Sequence, residues 1–186
     1  MKNINPLYIF LCLSIVLASC KDNNKSAQDQ TENTQAVDQS NYNLISNEEY
    51  SAEEIKELNN SASSIVEHRI EQDSNIWAHI EYNVWEYEFV FQNGEMSEQG
   101  DYAGYWIDME IGHKYTYGIK GEKLGSGRYH YSPHTELLLL VDDNPNVKPR
   151  QYRAKITGQM MVLAGNPEYR DNGFQSKLVR VSSIPE

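Results

Sequence analysis

Hydrophobic periodicity divides the chain into four stretches. Leu7 to Leu17 is an almost unbroken apolar run. Residues 21–43, KDNNKSAQDQTENTQAVDQSNYN, contain one Val and one aromatic residue and show no period. Ile55, Leu58, Ala62, Ile65, Val66 and Ile70 then recur at helical spacing, behind a Ser51-Ala-Glu-Glu54 sequence with the form of a capping box. The spacing predicts an amphipathic helix over about 51–72, whose apolar stripe must cover a barrel end or a sheet face. Residues 73–83 are ambiguous. Ile76, Trp77 and Ile80 would extend the helix, while Ile76, Ala78, Ile80 and Tyr82 would alternate as a strand.

From residue 84 the period is two. Trp85, Tyr87, Phe89 and Phe91 alternate with Glu86 and Glu88, and Asn93-Gly94 supplies a turn. Tyr105, Ile107, Met109 and Ile111 alternate with Trp106, Asp108 and Glu110. Tyr115, Tyr117 and Ile119 share a face, a Gly-rich turn spans Gly121 to Gly127, and Tyr129 and Tyr131 continue beyond it. Leu137 to Val141 is a continuous apolar strand ended by Asp142-Asp143-Asn144-Pro145. Tyr152, Ala154 and Ile156 alternate with Arg153 and Lys155; Met160 to Ala164 and Leu178 to Val181 complete the set. About eight strands at 8–14-residue spacing, with no helix between them, predict an antiparallel barrel, with an open sandwich as the alternative.

The run from Leu7 to Leu17 is shorter than the roughly 20 apolar residues a bilayer span needs. With Lys2 before it, it has the length of a signal-peptide core. Leu17-Ala18-Ser19-Cys20 follows and resembles the lipobox of bacterial lipoproteins. The resemblance implies a leader over 1–19 and a Cys20 that becomes the acylated N-terminus. The polar segment after it is too poor in apolar residues to offset chain entropy, so residues 20–47 are expected to be a tether and residues 48–186 the folded domain. The resemblance also places the protein in the cell envelope, lipid-anchored to the outer membrane, with the leaflet open.

Composition narrows the chemistry. The chain has 186 residues, two Cys and a formal charge of -11. Loss of a leader whose only charge is Lys2 makes the mature chain -12. So acidic a domain repels nucleic acid and an anionic membrane surface alike, leaving the lipid as the anchor. With Cys12 in the leader and Cys20 acylated, the domain has no thiol for a disulfide, a metal or catalysis.

Gly104-Tyr105-Trp106, the Tyr115-x-Tyr117 pair, and Gly127-x-Tyr129-x-Tyr131 before the Leu137 strand together resemble a lipocalin-like barrel of the type common in Bacteroidota lipoproteins. The likeness covers about residues 84–182. In that family a first-strand Gly-x-Trp packs across the closed end of the barrel, and a basic residue of the last strand lies on the Trp. The resemblance therefore implies structural roles for Trp106 and Arg180. The chain departs from the family in lacking a Thr-Asp-Tyr motif and in having strands before its Gly-x-Trp.

Other constellations are weaker. His130 and His134 stand four apart, but Pro133 makes them a strand-end loop pair. Asp142 to Asn146 lacks the Gly and distal Glu of a calcium loop and reads as a turn. Gly121 to Arg128 lacks the Lys-Ser/Thr ending of a phosphate loop. Glu86/Glu88 and Asp108/Glu110 read as the wet face of a sheet. No nucleophile, base and orienting group can be assembled, so a non-enzymatic protein without metal or cofactor is expected. Tyr115, Tyr117, Tyr129, Tyr131 and Tyr152 are the candidate ligand-binding residues, since Tyr joins an apolar ring to a polar tip. They serve equally well as the core of a filled barrel. The resemblance implies a small apolar or amphipathic cargo. A protein partner bound through an acidic, Tyr-rich surface, as in an inhibitor or immunity-type protein, is the alternative.

Overall fold

A computed structural model of the chain describes residues 50–72 and 79–186. The leader, Cys20 and the tether lie outside the described residues, as do residues 73–78 of the ambiguous stretch.

The helix α1 runs Ala52–Gln72. Its capping box is formed as the sequence predicts. The Ser51 N–H donates to Glu54 Oε2 at 2.7 Å, and the Glu54 N–H donates to Ser51 Oγ at 3.3 Å. The bond from the Ser51 N–H holds the Glu54 carboxyl below its ordinary pKa. A single 3-10 turn at His79–Glu81 follows, so this end of the ambiguous stretch is neither a helix extension nor a strand.

Nine antiparallel strands come next: β1 (Val84–Gln92), β2 (Glu95–Met96), β3 (Tyr105–Glu110), β4 (Lys114–Ile119), β5 (Glu122–Ser132), β6 (Leu137–Asp142), β7 (Arg150–Thr157), β8 (Met160–Gly165) and β9 (Phe174–Val181). Each strand from β3 onward pairs with the next, and β9 closes on β1, giving an eight-strand barrel. The short β2 is an extra strand. It folds back on the end of β1 through Asn93-Gly94, both at positive φ as a two-residue hairpin requires.

Alternation decides what faces the lumen. Trp85, Tyr87, Ile107, Met109, Leu138, Leu140, Met161, Leu163 and Leu178 form one buried cluster inside the barrel. Leu139 and Val141 point outward from β6 and are covered by Ala62 and Val66 of the helix and by Tyr169. An apolar residue on both faces explains the unbroken Leu137–Val141 run. The helical stripe thus covers the outside of the barrel wall at β5 and β6. Asn59, in the same stripe, ties the next loop to the helix by donating to Pro145 O at 3.0 Å and Val147 O at 2.9 Å.

Two local readings are corrected. A bulge between Tyr87 and Phe89 shifts the phase of β1. Val90 then faces the lumen, buried, while Phe89 is 36% exposed. One inserted residue flips every later side chain on its strand. The Gly-rich segment is not a long turn either. Only Lys120 and Gly121 connect β4 to β5, and Gly125, Ser126 and Gly127 lie within β5. A Cβ on Gly125 would strike the Tyr117 ring, at 2.5 Å from Cζ, and one on Gly127 would meet Tyr115 Cε1 at 2.7 Å. These glycines make room for two tyrosine rings, stacked 6.0 Å apart at 22°.

Candidate functional site

The 3-10 turn at His79–Glu81 lies at one end of the barrel. Ile80, fully buried, belongs to the lumen cluster. Trp85 Nε1 donates to Ile80 O at 2.8 Å. Directly opposite Trp85 in the β1–β9 register is Arg180. Its guanidinium lies 4.7 Å from the Trp85 ring centroid and donates to His79 O at 2.8 Å. Glu81 accepts from the Tyr129 hydroxyl at 2.7 Å and fixes the other side of the turn.

This corrects the pairing of Trp106 with Arg180. Trp106 is buried, 2% exposed, but it points away from the lumen cluster and is paired with Gly118. A Cβ on Gly118 would come within 2.6 Å of its ring, so the indole occupies space a side chain there would take. Trp106 pairs with Glu86 on the outer face, one step along the register from Trp85 and Arg180 on the inner face. The Trp that carries the basic residue is Trp85, preceded by Asn83 at φ 62 rather than by Gly.

The five candidate tyrosines all face the lumen but differ in what surrounds them. Tyr115, Tyr129 and Tyr152 are 0%, 1% and 2% exposed, so they are packed core. Tyr117 and Tyr131 are half-buried against that core. Tyr131 donates to Ala154 O at 3.2 Å. Burial pushes every one of these phenols above its ordinary pKa, Tyr117 to about 12. Tyr87, missed as a candidate, is likewise pushed to about 12 by burial. All are neutral donors and acceptors at pH 7.

The end of the barrel away from Trp85 holds a charge among these phenols. Arg150, the first residue of β7, pairs with Leu140 on the lumen face and is half-buried. Its Nη2 reaches the Tyr115 hydroxyl at 3.4 Å, and its guanidinium lies 5.5 Å from the Tyr117 ring centroid. Burial opposes its charge, while the oxygens of Tyr115, Tyr152, Tyr117 and Tyr87 surround and favour it. The Tyr115 hydroxyl also donates to Asp142 Oδ2 at 3.3 Å; the other Asp142 oxygen accepts from the Asn144 N–H at 2.8 Å. Asp142 therefore ends its strand in an Asx turn, as read from sequence, with its side chain turned inward. Arg150 was missed, although stepping the alternation back two residues from Tyr152 places it on the inner face.

At the same end the wall opens. β1 pairs with β3 only over Val84–Glu86, so β1 and β3 part beyond that point. The connection through β2 leaves a pocket of about 850 Å³ there, lined by Val90, Met96, Tyr102 and Tyr105, by the polar Gln92, Asn93 and Ser97, and by the acidic Glu95, Glu98 and Asp101. Tyr102 lies 6.5 Å from Tyr87 and 5.3 Å from Tyr105, ring to ring. Tyr87 experiences both Tyr102 and Arg150, so aromatic rings connect the pocket to the lumenal charge.

The remaining candidates sit elsewhere. His130 is in β5 rather than a loop, 2% exposed, and stacks on His113 at 6.4 Å; His134 is exposed. Alternation on β5 places His130 outward, where its burial comes from neighbouring elements. Glu88 is paired with Lys177 at 2.5 Å, and Glu86 accepts from the Gly104 N–H at 3.2 Å. Burial, then Glu110, raises the Asp108 carboxyl. Among the described residues no three His, Cys, Asp or Glu side chains are grouped to hold a metal ion, and no helix is long and apolar enough to cross a membrane.

The fold and site define a closed antiparallel barrel with an aromatic lumen, a plugged end and an opened seam. Comparison with protein-family models, curated proteins and solved structures finds no match.

Proposed function

We propose that the protein is a membrane-anchored, non-enzymatic lipoprotein whose lipocalin-like barrel binds a small amphipathic ligand. The observation that carries this reading is the pocket of about 850 Å³ where β1 and β3 part, walled by Tyr102 and Tyr105, with the Tyr102 ring packed on Tyr87 of the lumen cluster. Its lining joins the apolar surfaces of Val90, Met96, Tyr102 and Tyr105 to polar and acidic side chains, so an amphipathic ligand meets both kinds of surface there. Trp85 under Arg180 gives the chain the closed-end arrangement that the family resemblance implies, at a different Trp. The anchor rests on Leu17-Ala18-Ser19-Cys20, and the location on the outer membrane follows from it.

Native mass spectrometry of the full chain purified from cells tests the binding reading. A co-purifying small molecule supports it, and its loss on Tyr102→Ala places it in the seam pocket. Fractionation tests the anchor. Cys20→Ser releases the chain from membranes, and a mutant that stays in the membrane pellet refutes the lipid anchor.

A second reading, a protein-binding surface lipoprotein, draws on the outer face of β8, β9 and β1. There Met160 and Val162 are 43% and 46% exposed, next to Phe89 across Lys177. A co-purifying protein that is lost on Val162→Glu, with no small molecule bound, would favour it.

A further inference from the structure

The barrel interior holds one group that core packing does not account for. Arg150 points into the lumen from β7 with aromatic and phenolic neighbours. Among the described residues no ion pair involves it. The nearby carboxylates are already engaged. Asp142 accepts from Tyr115 and Asn144, and Asp171 is paired with Lys148 and accepts from the Gln151 N–H. A guanidinium carries five N–H donors in a planar fork. Here one of them reaches a protein oxygen, and that contact is long, 3.4 Å. The side chain is half-buried rather than sealed, so the remaining donors border open space at the unplugged end. Buried charges are ordinarily paired, and this one meets the Asp142 carboxylate only through the Tyr115 hydroxyl, with no direct ion pair.

We propose that Arg150 is the anion-recognition residue of the barrel, and that the ligand is an amphiphile with a carboxylate or similar acidic head. This deepens the binding function proposed above and rests on it. The fork of Arg150 takes the head in a bidentate, charge-assisted contact. Tyr87, kept protonated by burial, is the flanking hydroxyl donor, while Tyr115, which donates to Asp142, and the Tyr117 ring hold the guanidinium in place. The apolar part of the ligand lies toward the open end, where Tyr102, Tyr105 and Val90 provide surface. The carboxylates Glu95, Glu98 and Asp101 in the pocket lining repel an anionic head, which argues for an amphiphile whose head sits at Arg150 rather than a small hydrophilic anion. An anion without an apolar part has nothing to offset that repulsion, whereas an alkyl chain gains about 0.8 kcal/mol per buried methylene.

Titration calorimetry of the full chain carrying Cys20→Ser, with octanoate and with octanol, tests this. The two probes share a chain and differ in the head. Octanoate is expected to bind at least about tenfold tighter, the lower range for a hydrogen bond to a charged group. Arg150→Met reduces that preference to about twofold or less. Arg153→Met, which removes the same charge from the exposed outer face of β7, leaves the preference intact. Equal affinity of the wild type for the two probes overturns the assignment, and this comparison stands even if Arg150→Met fails to fold. A preference that survives in folded Arg150→Met also overturns it. In both cases the barrel remains a binding protein. If neither probe binds the wild type, the binding reading itself fails and the assignment of Arg150 falls with it.

Discussion

The closed end allows a double-mutant comparison that separates two arrangements of the same three residues. In the structure Arg180 lies over Trp85, and Trp106, one residue from the Ile107 that pairs with Trp85, sits on the outer face of β3. Trp85 is fully buried and hydrogen-bonded, so Trp85→Ala is expected to cost roughly 3–5 kcal/mol, the range for truncating a buried large aromatic. Trp106→Ala falls in the same range, because Trp106 is 2% exposed and fills the space over Gly118. The single substitutions therefore do not discriminate, and the coupling to Arg180 does. Arg180→Ala loses the cation–π contact with Trp85, about 0.5–2 kcal/mol, and the bond to His79 O. In the Trp85→Ala background the first of these losses is already made. Urea denaturation of the singles and doubles should show Trp85 and Arg180 coupled by about 0.5–2 kcal/mol. Trp106 and Arg180 should be additive within roughly 0.5 kcal/mol. Coupling of Arg180 to Trp106 and not to Trp85 would refute the closed end described here.

Three further outcomes are expected. Lys148→Met breaks a buried ion pair, with side chains 2% and 0% exposed, that ties the loop before β7 to Asp171. It should cost roughly 3–5 kcal/mol at pH 7. The deficit should shrink in acid, because burial already holds the Asp171 carboxyl above its ordinary pKa and losing Lys148 raises it further; a deficit independent of pH would refute this. Tyr87 and Tyr117 ionise near 12 in the folded chain and near 10 when unfolded. Their contribution to stability is therefore complete below about pH 10 and lost as pH rises through 12. Phenolate absorbance should show the lumenal set titrating only with unfolding; a single transition near 10 without unfolding would contradict the burial. Gly127→Ala places a methyl group against Tyr115 and the Val141 carbonyl and should cost about 1–3 kcal/mol by overpacking. A neutral result in chemical denaturation would mean Tyr115 does not lie across β5.

What the sequence determined by itself is local. The capping box and 3.6-residue spacing specify α1 to within a residue. Alternation in β3, β4, β6 and β7 specifies which side chains share a face, and the apolar phase on both faces of β6 already required an outer cover. Those features depend on neighbours along the chain, and a period survives translation into structure. The tertiary structure decided everything that depends on pairing. The bulge in β1 is invisible in sequence because Val90 and Phe91 are equally apolar, and only the β9 register shows which turns inward. The glycines of β5 resembled a turn because Gly serves both turns and close approach; Tyr115 and Tyr117, arriving from β4, make it the second. Trp106 looked like the closed-end residue because Gly precedes it by two. The position opposite Arg180 is set by closure of β9 on β1, which selects Trp85. Arg150 looked like one more charge on a polar strand, and it becomes a candidate binding residue only because eight strands close around it and leave it without a direct ion pair.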